Sequence, residues 1–558
     1  MHQGSEVSGS VTQFARNSFE LLVQWHIPYA KFLADSKVVA SILDVGCGQG
    51  AFLEGCRRIK PDWNLTGLEL DASLAEQARD LGHHVLIGDA IEVLSGQPTV
   101  GLFDAIHLSH IIEHLSPNDL MDLLAVCVKS LTDGGVIIVR TPNWHNPHVN
   151  GGGFWDDFSH VRPYPVAAFE PILNSLGMQP WLVGAEPYGW EDVFYMGIKQ
   201  SQPVKTALLV GAVRVVHSLA KINTQLIRKL AVQGFMPRVL PTEPFAYPAE
   251  DIVMAAATSD SPYFEQAGTW IGHAWPTPSP STEGKSYLYI PWEFYAPLQE
   301  WKRDAKPCEE IWTSSEYSAR GFREYDLHPQ IRVMYPRVDA SVYGLEGEAM
   351  EFPEANGTIK LLFVGGTIWR KGIDVLLQAY RNAFSRNDPV TLIIKDMGNS
   401  SFYKGQTAEG MLAQYMRDPD SPCLIHSTES FSELQMASLY RGVDVLVQPY
   451  RAEGFGMPIL EAMTSGIPVV VTDGGPSDEF VPDGTYIKCP AKIVTGEARV
   501  DDRPTLGPIR WLEPDPEQLS AILRLVVNNA ALMRREAQSK ATAVADKWGW
   551  DQLQLFSV

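Results

Sequence analysis

Three segments of the 558-residue chain share the pattern that most constrains its fold. In each, an apolar run rich in β-branched residues ends in glycine and leads into a helical pattern: SILDVGCGQG from Ser41, TALLVGA from Thr206 and IKLLFVGG from Ile359. Strands that alternate with helices build parallel sheets covered by helices on both faces. The pattern therefore predicts an α/β protein with three Rossmann-like, doubly wound units. Because such sheets bind ligands at the carboxyl ends of their strands, the glycine turns are where chemistry is expected.

Composition excludes several classes of protein. With 45% hydrophobic and 20% charged residues, the chain is expected to be globular and soluble. Its net charge of −21 argues against a nucleic-acid partner. The six scattered cysteines form no CxxC pair, which argues against a zinc site or a disulfide framework. The polar N-terminus does not resemble a signal peptide, and no apolar run is long enough to span a bilayer, so a cytoplasmic location is expected.

Two stretches rich in Pro, Gly or polar residues mark the expected domain boundaries. KQSQPV from Lys199 separates the first unit from the second, and EGEAMEFPEANG from Glu346 separates the second from the third. The predicted domains are residues 1–200, 201–350 and 351–558.

The first unit carries a predicted cofactor site. Closely spaced glycines let a ligand approach the backbone, and an acidic residue 21 positions after Gly48 ends the second strand, where it can bind a ribose. The candidate cofactor-binding residues are Asp44, Gly46, Gly48, Gly50, Glu69 and Asp89. The string DVGCGQG resembles the class I S-adenosylmethionine-dependent methyltransferases, over about residues 38–200. The resemblance implies that the glycines hold the methionine part of the cofactor, Glu69 its ribose and Asp89 its adenine.

Methyl transfer to a hydroxyl acceptor needs a base. Histidine is the expected base, and the candidates are His110, His114 and His160, of which His114 and His160 are preferred. For any one of them, a buried or capping role is an equally good interpretation. The string HIIEH from His110 also matches a short zinc-binding pattern, but it falls where the methyltransferase fold places a helix, so no metal is expected there.

The third unit carries the most specific motif of the chain. In the segment from Val443 to Gly475, a buried strand is followed by a glycine-rich loop and a helix, with Glu453 and Glu461 separated by seven residues. Carboxylates so placed can hold sugar and ribose hydroxyls of a nucleotide-sugar. This E-x7-E pattern resembles the GT-B glycosyltransferases of the retaining family 4 type, over about residues 205–548.

That resemblance implies a donor site and a reaction. The implied donor-binding residues are Gly365, Gly366, Arg370, Lys371, Lys395, Glu453, Gly454, Phe455, Gly456 and Glu461. Glu453 and His273 would position the donor sugar and stabilise charge, whereas Glu461 would hold the ribose. The family arginine after the first glycine is replaced by Gly366, so Arg370 or Lys395 is the hypothetical substitute. A UDP- or GDP-sugar donor and transfer without a metal are expected.

A basic segment, residues 199–242, has seven Lys or Arg and no Asp or Glu, and residues 216–232 can form an amphipathic helix. It can dock an anionic membrane surface that carries a lipid-linked acceptor, or it can form the rim of an anionic donor site.

The favoured interpretation is a bifunctional enzyme that glycosylates a saccharide or lipid-linked glycan and methylates a saccharide. Two alternatives remain open: an active glycosyltransferase with a non-catalytic S-adenosylmethionine-binding domain, and a non-enzymatic glycan-binding scaffold.

Overall fold

The computed structural model describes residues 19–36, 40–96, 100–187, 191–259, 267–396, 407–482 and 486–556. The chain divides into two compact units. The first takes in Met1–Val215 and Leu226–Trp270, and the second takes in Val216–Gln225 and Ile271–Val558. The division into domains of residues 1–200, 201–350 and 351–558 stays a prediction.

The helices and strands of the first unit alternate along most of its length. In chain order they are α1 Phe19–Ser36, β1 Ser41–Val45, α2 Ala51–Ile59, β2 Asn64–Glu69, α3 Ala72–Asp80, β3 His84–Ile87, α4 Ala90–Gly96, β4 Phe103–Ser109, α5 Pro117–Ser130, β5 Leu131–Pro142, α6 Pro147–Asn150, α7 Val166–Ser175, β6 Met178–Ala185, β7 Asp192–Lys199 and β8 Lys205–Gly211, followed after the boundary by β9 Phe235–Leu240 and α9 Ile252–Ala257. Helix α8, Ser218–Val232, and strand β10, Thr269–His273, each cross the boundary between the units.

A seven-stranded sheet in the order β3-β2-β1-β4-β5-β7-β6 forms the main layer of the first unit. Neighbours are parallel from β3 to β5, whereas β7 runs antiparallel to both β5 and β6. The central strands are buried because helices cover both faces, which explains runs such as Ile42–Val45 without polar alternation. Parallel pairing brings the ends of β1, β2 and β3 to one edge, and the predicted cofactor residues lie at or just after those ends.

The second unit repeats the alternation of strands and helices. In chain order its elements are β11 Lys285–Tyr289, α10 Trp301–Ala305, β12 Glu310–Thr313, α11 Glu316–Glu324, β13 Ile331–Val333, α12 Ala340–Tyr343, β14 Ile359–Val364, α13 Ile373–Ala383, β15 Val390–Lys395, α14 Glu409–Arg417, β16 Cys423–Ser427, α15 Glu433–Arg441, β17 Val445–Gln448, α16 Met457–Thr464, β18 Val469–Thr472, β19 Ile487–Cys489, β20 Ala491–Thr495, β21 Arg499–Val500, β22 Arg503–Pro504, β23 Arg510–Pro514 and α17 Pro516–Trp548.

Parallel pairing dominates the second unit as well. Strand β12 pairs in parallel with β11 and β13, and a six-stranded sheet has the order β16-β15-β14-β17-β18-β19, in which every neighbouring pair is parallel. Leu361, Phe363 and Val447 from this sheet pack with Leu519 and Leu523 of α17 in one buried cluster. The predicted α/β class with mostly parallel sheets is confirmed.

Among the described residues, none of the helices combines the length and apolar character that crossing a bilayer requires.

Candidate active sites

The glycine loop after β1 has the backbone conformation that its composition predicts. Gly46, Gly48 and Gly50 have φ of +67°, +52° and +85°, a region that favours glycine. A Cβ at Gly46 would lie 2.1 Å from Cδ1 of Ile111, whereas a Cβ at Gly48 would meet nothing within 4 Å. Gly46 is therefore required by packing, and Gly48 faces space that a ligand can enter.

Glu69, the last residue of β2, holds this loop in place. Its Oε2 accepts a hydrogen bond from the amide of Gly48 at 2.8 Å, and its Oε1 accepts one from the amide of Asp71 at 2.9 Å. The carboxylate is buried and lies at the edge where parallel sheets bind ligands. The arrangement of glycines and Glu69 fits S-adenosylmethionine. Backbone that a ligand can approach lies beside a carboxylate that can bind a ribose.

The two remaining predicted cofactor residues have partners inside the protein. Asp44 is buried and bonds to Nδ1 of His107 at 2.7 Å. Asp89 is exposed, and its Oδ1 accepts from the first-turn amides of Ile91 and Glu92, which caps α4. Their roles toward the cofactor stay predictions.

The three candidate histidines lie in two different environments. His110 has φ of +55°, and its ring nitrogens lie against Glu113 at 3.1 Å and Asp192 at 3.0 Å. Burial alone would lower its pKa, but the two carboxylates raise the pKa of His110 to about 10. His110 therefore keeps its proton and is a poor base. His114 and His160 lie together, with ring centroids 4.8 Å apart.

A buried polar network behind this site was not predicted from the sequence. The Arg140 guanidinium donates to Glu186 at 2.8 Å, to Asp192 at 3.2 Å and to the hydroxyl of Ser109 at 3.1 Å. Tyr29 donates to Glu186. Arg140 lies inside the apolar strand VIIVRTP. A charged residue among apolar neighbours was the sequence signal that could have revealed the network.

In the second unit, residues of the predicted donor site lie close together, and they come from three loops. Lys371 donates to Glu453, while Arg370 lies 3.9 Å from Glu453 and 3.4 Å from Glu293. Burial would raise the pKa of Glu453, but Lys371 and Arg370 outweigh it and hold this pKa below its ordinary value. Glu453 is therefore an ionised carboxylate beside two cations, next to the carboxyl ends of β14 and β17.

The loop after β14 carries the departure from the family pattern. Gly365 has φ of +132°, and Gly366 stands at the position where the family arginine is expected. Lys395 is buried and donates to the carbonyl of Asp396 at 2.9 Å. Burial lowers the pKa of Lys395, and Asp396 opposes that effect. Arg370 is thus the better placed of the two proposed substitutes, because it lies beside Lys371 and Glu453.

Glu461 lies in α16 with both carboxylate oxygens engaged. Lys221 donates to Oε1 at 2.8 Å and Tyr440 donates to Oε2 at 2.8 Å. The side chain is almost fully buried, so it fixes the base of the loop that carries Glu453. Its binding to a ribose stays a prediction.

His273 ends β10 and is fully buried. Its Nδ1 bonds to Oδ1 of Asn223 at 2.7 Å and its ring stacks on Tyr289 at 4.5 Å. Because the amide oxygen can only accept, Nδ1 carries the proton, and Nε2 is a buried acceptor without a hydrogen-bond partner among the described residues. Burial and His217 lower the pKa of His273 to about 3, so the ring is neutral.

The remaining donor-loop residues shape the entry to α16. The carbonyl of Gly454 accepts from Ser314 at 2.8 Å, and Phe455 packs on Phe480 with ring centroids 4.7 Å apart. Gly456, with φ of +98°, is the residue just before α16. A Cβ at Gly454 would lie 3.4 Å from Oγ of Ser314.

The basic segment is largely engaged inside the protein. Its helix is α8, Ser218–Val232, and cations along the segment bind carboxylates or carbonyls. Their partners are Val128 and Leu131 for Lys199, Tyr247 for Arg214, Glu461 for Lys221, Asp251 and Glu250 for Arg228, and Ala256 for Arg238. Most of the cations in this segment therefore have partners within the protein. Docking of the segment to a membrane stays a prediction.

Comparison with known families finds two matching parts of the chain. Residues 17–182 match the family model described as "Methyltransferase domain", and residues 348–493 match that of "Glycosyl transferases group 1". The chain therefore combines a methyltransferase domain with a group 1 glycosyltransferase domain, as the two resemblances predicted.

Individual relatives cover small parts of the chain. The lipopolysaccharide core biosynthesis mannosyltransferase LpsB of Rhizobium meliloti (strain 1021) is 41% identical over 76 residues, which are 12% of this chain and 22% of that protein. The MMP alpha-(1->4)-mannosyltransferase of Mycolicibacterium hassiacum is 26% identical over 136 residues, 24% of this chain and 28% of that protein. The chain thus spans only about a quarter of the length of these relatives. A solved SAM dependent methyltransferase from Archaeoglobus fulgidus is 21% identical, with 35% of this chain and 100% of that chain covered and a TM-score of 0.30.

Proposed function

We propose that the chain is a bifunctional enzyme. Its second unit transfers a sugar from a nucleotide-sugar to a saccharide or lipid-linked glycan with retention of configuration, and its first unit methylates a saccharide hydroxyl with S-adenosylmethionine. The observation that carries the proposal is that each half has an assembled site: open glycine backbone beside Glu69 in one, and Lys371 with Arg370 beside ionised Glu453 in the other.

In the glycosyltransferase half, the cations balance the charge that leaves with the diphosphate. The bond between the anomeric carbon and the diphosphate oxygen breaks, and its electron pair stays on that oxygen. The acceptor hydroxyl bonds to the same carbon and gives its proton to the departing phosphate. Lys371 and Arg370 stabilise the developing negative charge, and Glu453 positions the sugar. The seven-residue spacing from Glu453 to Glu461, which resembles the retaining family 4 enzymes, supports retention.

In the methyltransferase half, S-adenosylmethionine supplies the methyl group as a sulfonium. Glu69 and the glycine loop bind and orient the cofactor, and alignment is most of what such a displacement requires. The proposed bases are His114, which directly follows the buried Glu113, and His160. One of these two imidazoles would take the proton of the acceptor hydroxyl.

A glycan is the proposed shared acceptor class. Two relatives are named mannosyltransferases, one of them of lipopolysaccharide core biosynthesis, so a mannosyl donor is the first to test. The acceptor would then belong to polysaccharide biosynthesis.

The first test is calorimetric titration of the full chain with S-adenosylhomocysteine, UDP and GDP. Binding of S-adenosylhomocysteine and of one nucleotide is expected. Lys371→Ala should weaken nucleotide binding at least tenfold, whereas the control Lys302→Ala, an exposed lysine on α10, should not.

Activity then separates the alternatives. Hydrolysis of the matching nucleotide-sugar without acceptor is expected in the wild type and lost in Glu453→Gln. Turnover of the nucleotide-sugar and binding of S-adenosylhomocysteine without any methyl transfer would favour a non-catalytic first unit, and no binding of any of the three ligands would favour a scaffold.

A further inference from the structure

Three potential metal ligands converge beside the methyltransferase loop. One ligand atom from each of Glu113, His114 and His160 lies within 4.8 Å of the other two. Glu113 is fully buried, and the two histidines are half-buried. Two imidazoles and one carboxylate are the ligand set of many catalytic zinc sites, in which a further position stays open.

Backbone contacts hold the two parts of this cluster together. Glu113 and His114 belong to a short 3-10 helix, Ile112–His114, that follows β4. The carbonyl of Glu113 accepts hydrogen bonds from the amides of Val161 at 2.8 Å and Arg162 at 3.3 Å. The loop that carries His160 is thereby fixed against the 3-10 helix, although 45 residues separate His114 from Ser159.

The hydrogen bonds of both histidines direct Nε2 toward metal binding. Nδ1 of His160 lies 2.6 Å from the carbonyl of Phe154, which can only accept, so Nδ1 carries the proton. Ser159 donates its single hydroxyl proton to Asp157 and must therefore accept from Nδ1 of His114 at 3.0 Å. In both rings the lone pair is left on Nε2, and second partners of this kind orient metal-binding histidines.

The carboxylate is oriented as well. Thr141 donates to Oε2 of Glu113 at 3.1 Å, and His110 lies 3.1 Å from its Oε1. A second carboxylate oxygen, Oδ2 of Asp157, lies 4.0 Å from Nε2 of His160.

We propose that Glu113, His114 and His160 bind one divalent transition-metal ion of the Zn²⁺ class. The mixed nitrogen and oxygen ligands select such ions over Mg²⁺ or Ca²⁺. This proposal departs from the expectation of no metal at the HIIEH string. Two of its residues do converge on a third ligand, whereas His110, the residue that the short pattern would use, lies between Glu113 and Asp192 instead.

The role of the ion rests on the proposed function. Ile111, which fills the space against Gly46, precedes the 3-10 helix directly, so the cluster adjoins the cofactor loop. An ion at this position would bind the acceptor hydroxyl and lower its pKa, so that the hydroxyl could lose its proton to solvent, and His114 and His160 would then act as metal ligands instead of bases.

The test uses the full chain without an affinity tag, stripped with EDTA and dialysed. Co²⁺ is titrated while its visible absorption is recorded, and Zn²⁺ retained after gel filtration is measured by mass spectrometry. We expect one equivalent of tightly bound metal. His114→Ala and His160→Ala should each weaken binding at least tenfold, and Ser159→Ala should weaken it less. His145→Ala, an exposed histidine of the same loop region, is the matched control and should bind like the wild type.

Three results would overturn the metal site: no stoichiometric metal in the wild type, unchanged affinity in both histidine variants, or an absorption band of Co²⁺ bound to thiolate. Binding of S-adenosylhomocysteine to each metal-free variant verifies its fold. It also keeps the two proposals apart, because a wild type that binds the cofactor product but no metal would overturn the metal site alone. Metal binding without any cofactor binding would support the site and contradict the proposed methylation.

Discussion

Gly46 and Gly48 show how two glycines of one loop serve different ends. Both have positive φ, but a side chain at Gly46 would collide with Ile111, whereas one at Gly48 would project into open space. The amide of Gly48 is also bound to Glu69 at 2.8 Å. Packing therefore accounts for the first glycine, and the open space at the second is what the proposed cofactor site requires.

This difference predicts the behaviour of Gly48→Ala. The added methyl group should weaken S-adenosylhomocysteine binding at least tenfold, while positive φ costs only about 1–2 kcal/mol of stability. Gly134→Ala is a matched control because Gly134 also has positive φ, at +80°, with nothing within 4 Å, but lies near the opposite end of the strands. Calorimetry and thermal unfolding of both variants provide the comparison. Equal loss of affinity in both would contradict a cofactor role for Gly48.

His273 predicts a pH dependence of stability. Its pKa in the folded protein is about 3, against about 6.5 in an unfolded chain. Between these values the unfolded state binds more protons, so stability falls as pH decreases below about 6.5. From pH 7.5 to 5.5, the wild type should lose about 1.4 kcal/mol more than His273→Gln.

Urea denaturation at both pH values measures this loss. If His273→Gln shows the same pH dependence as the wild type, His273 is not held neutral by the fold.

At the scale of elements, the start of α11 depends on a carboxylate from elsewhere in the chain. Oε2 and Oε1 of Glu479 accept from the amides of Glu316 and Tyr317, each at 2.8 Å, and Ser315 caps the same turn. A negative charge at a helix N-terminus is favourable because the unpaired amides and the helix dipole both attract it.

Removal of this cap should destabilise the second unit. Glu479→Ala is expected to lower the free energy of unfolding by about 1–3 kcal/mol, since two charge-assisted hydrogen bonds are lost. Glu479→Gln keeps one acceptor oxygen and should cost less. Denaturant unfolding of the two variants measures the difference, and an unchanged midpoint for Glu479→Ala would show that water replaces the carboxylate fully.

At the scale of the whole molecule, each candidate site lies within one unit. The glycine loop, Glu69, His114 and His160 belong to the first, whereas His273, Lys371, Glu453 and Glu461 belong to the second.

Loss of one ligand should therefore leave binding of the other intact. Gly48→Ala is expected to lose S-adenosylhomocysteine and keep its nucleotide affinity, and Lys371→Ala is expected to do the reverse. Calorimetry of both variants with both ligands checks this, and a change of more than about threefold in the unaffected ligand would reveal coupling between the sites.

Local spacing along the chain was enough to predict much of this protein. Apolar runs that end in glycine predicted parallel α/β sheets, and the strings DVGCGQG and E-x7-E predicted the two families, because turn geometry and strand ends depend on neighbours in sequence. Long-range partners followed only from the tertiary structure. Lys221 reaches Glu461 across 240 residues, and Val161 binds Glu113 so that His160 lies beside His114. The packing of the elements decides which charged groups and which lone pairs lie next to one another. Elements that are distant in the chain can pack together without any regular spacing in the sequence that would predict it.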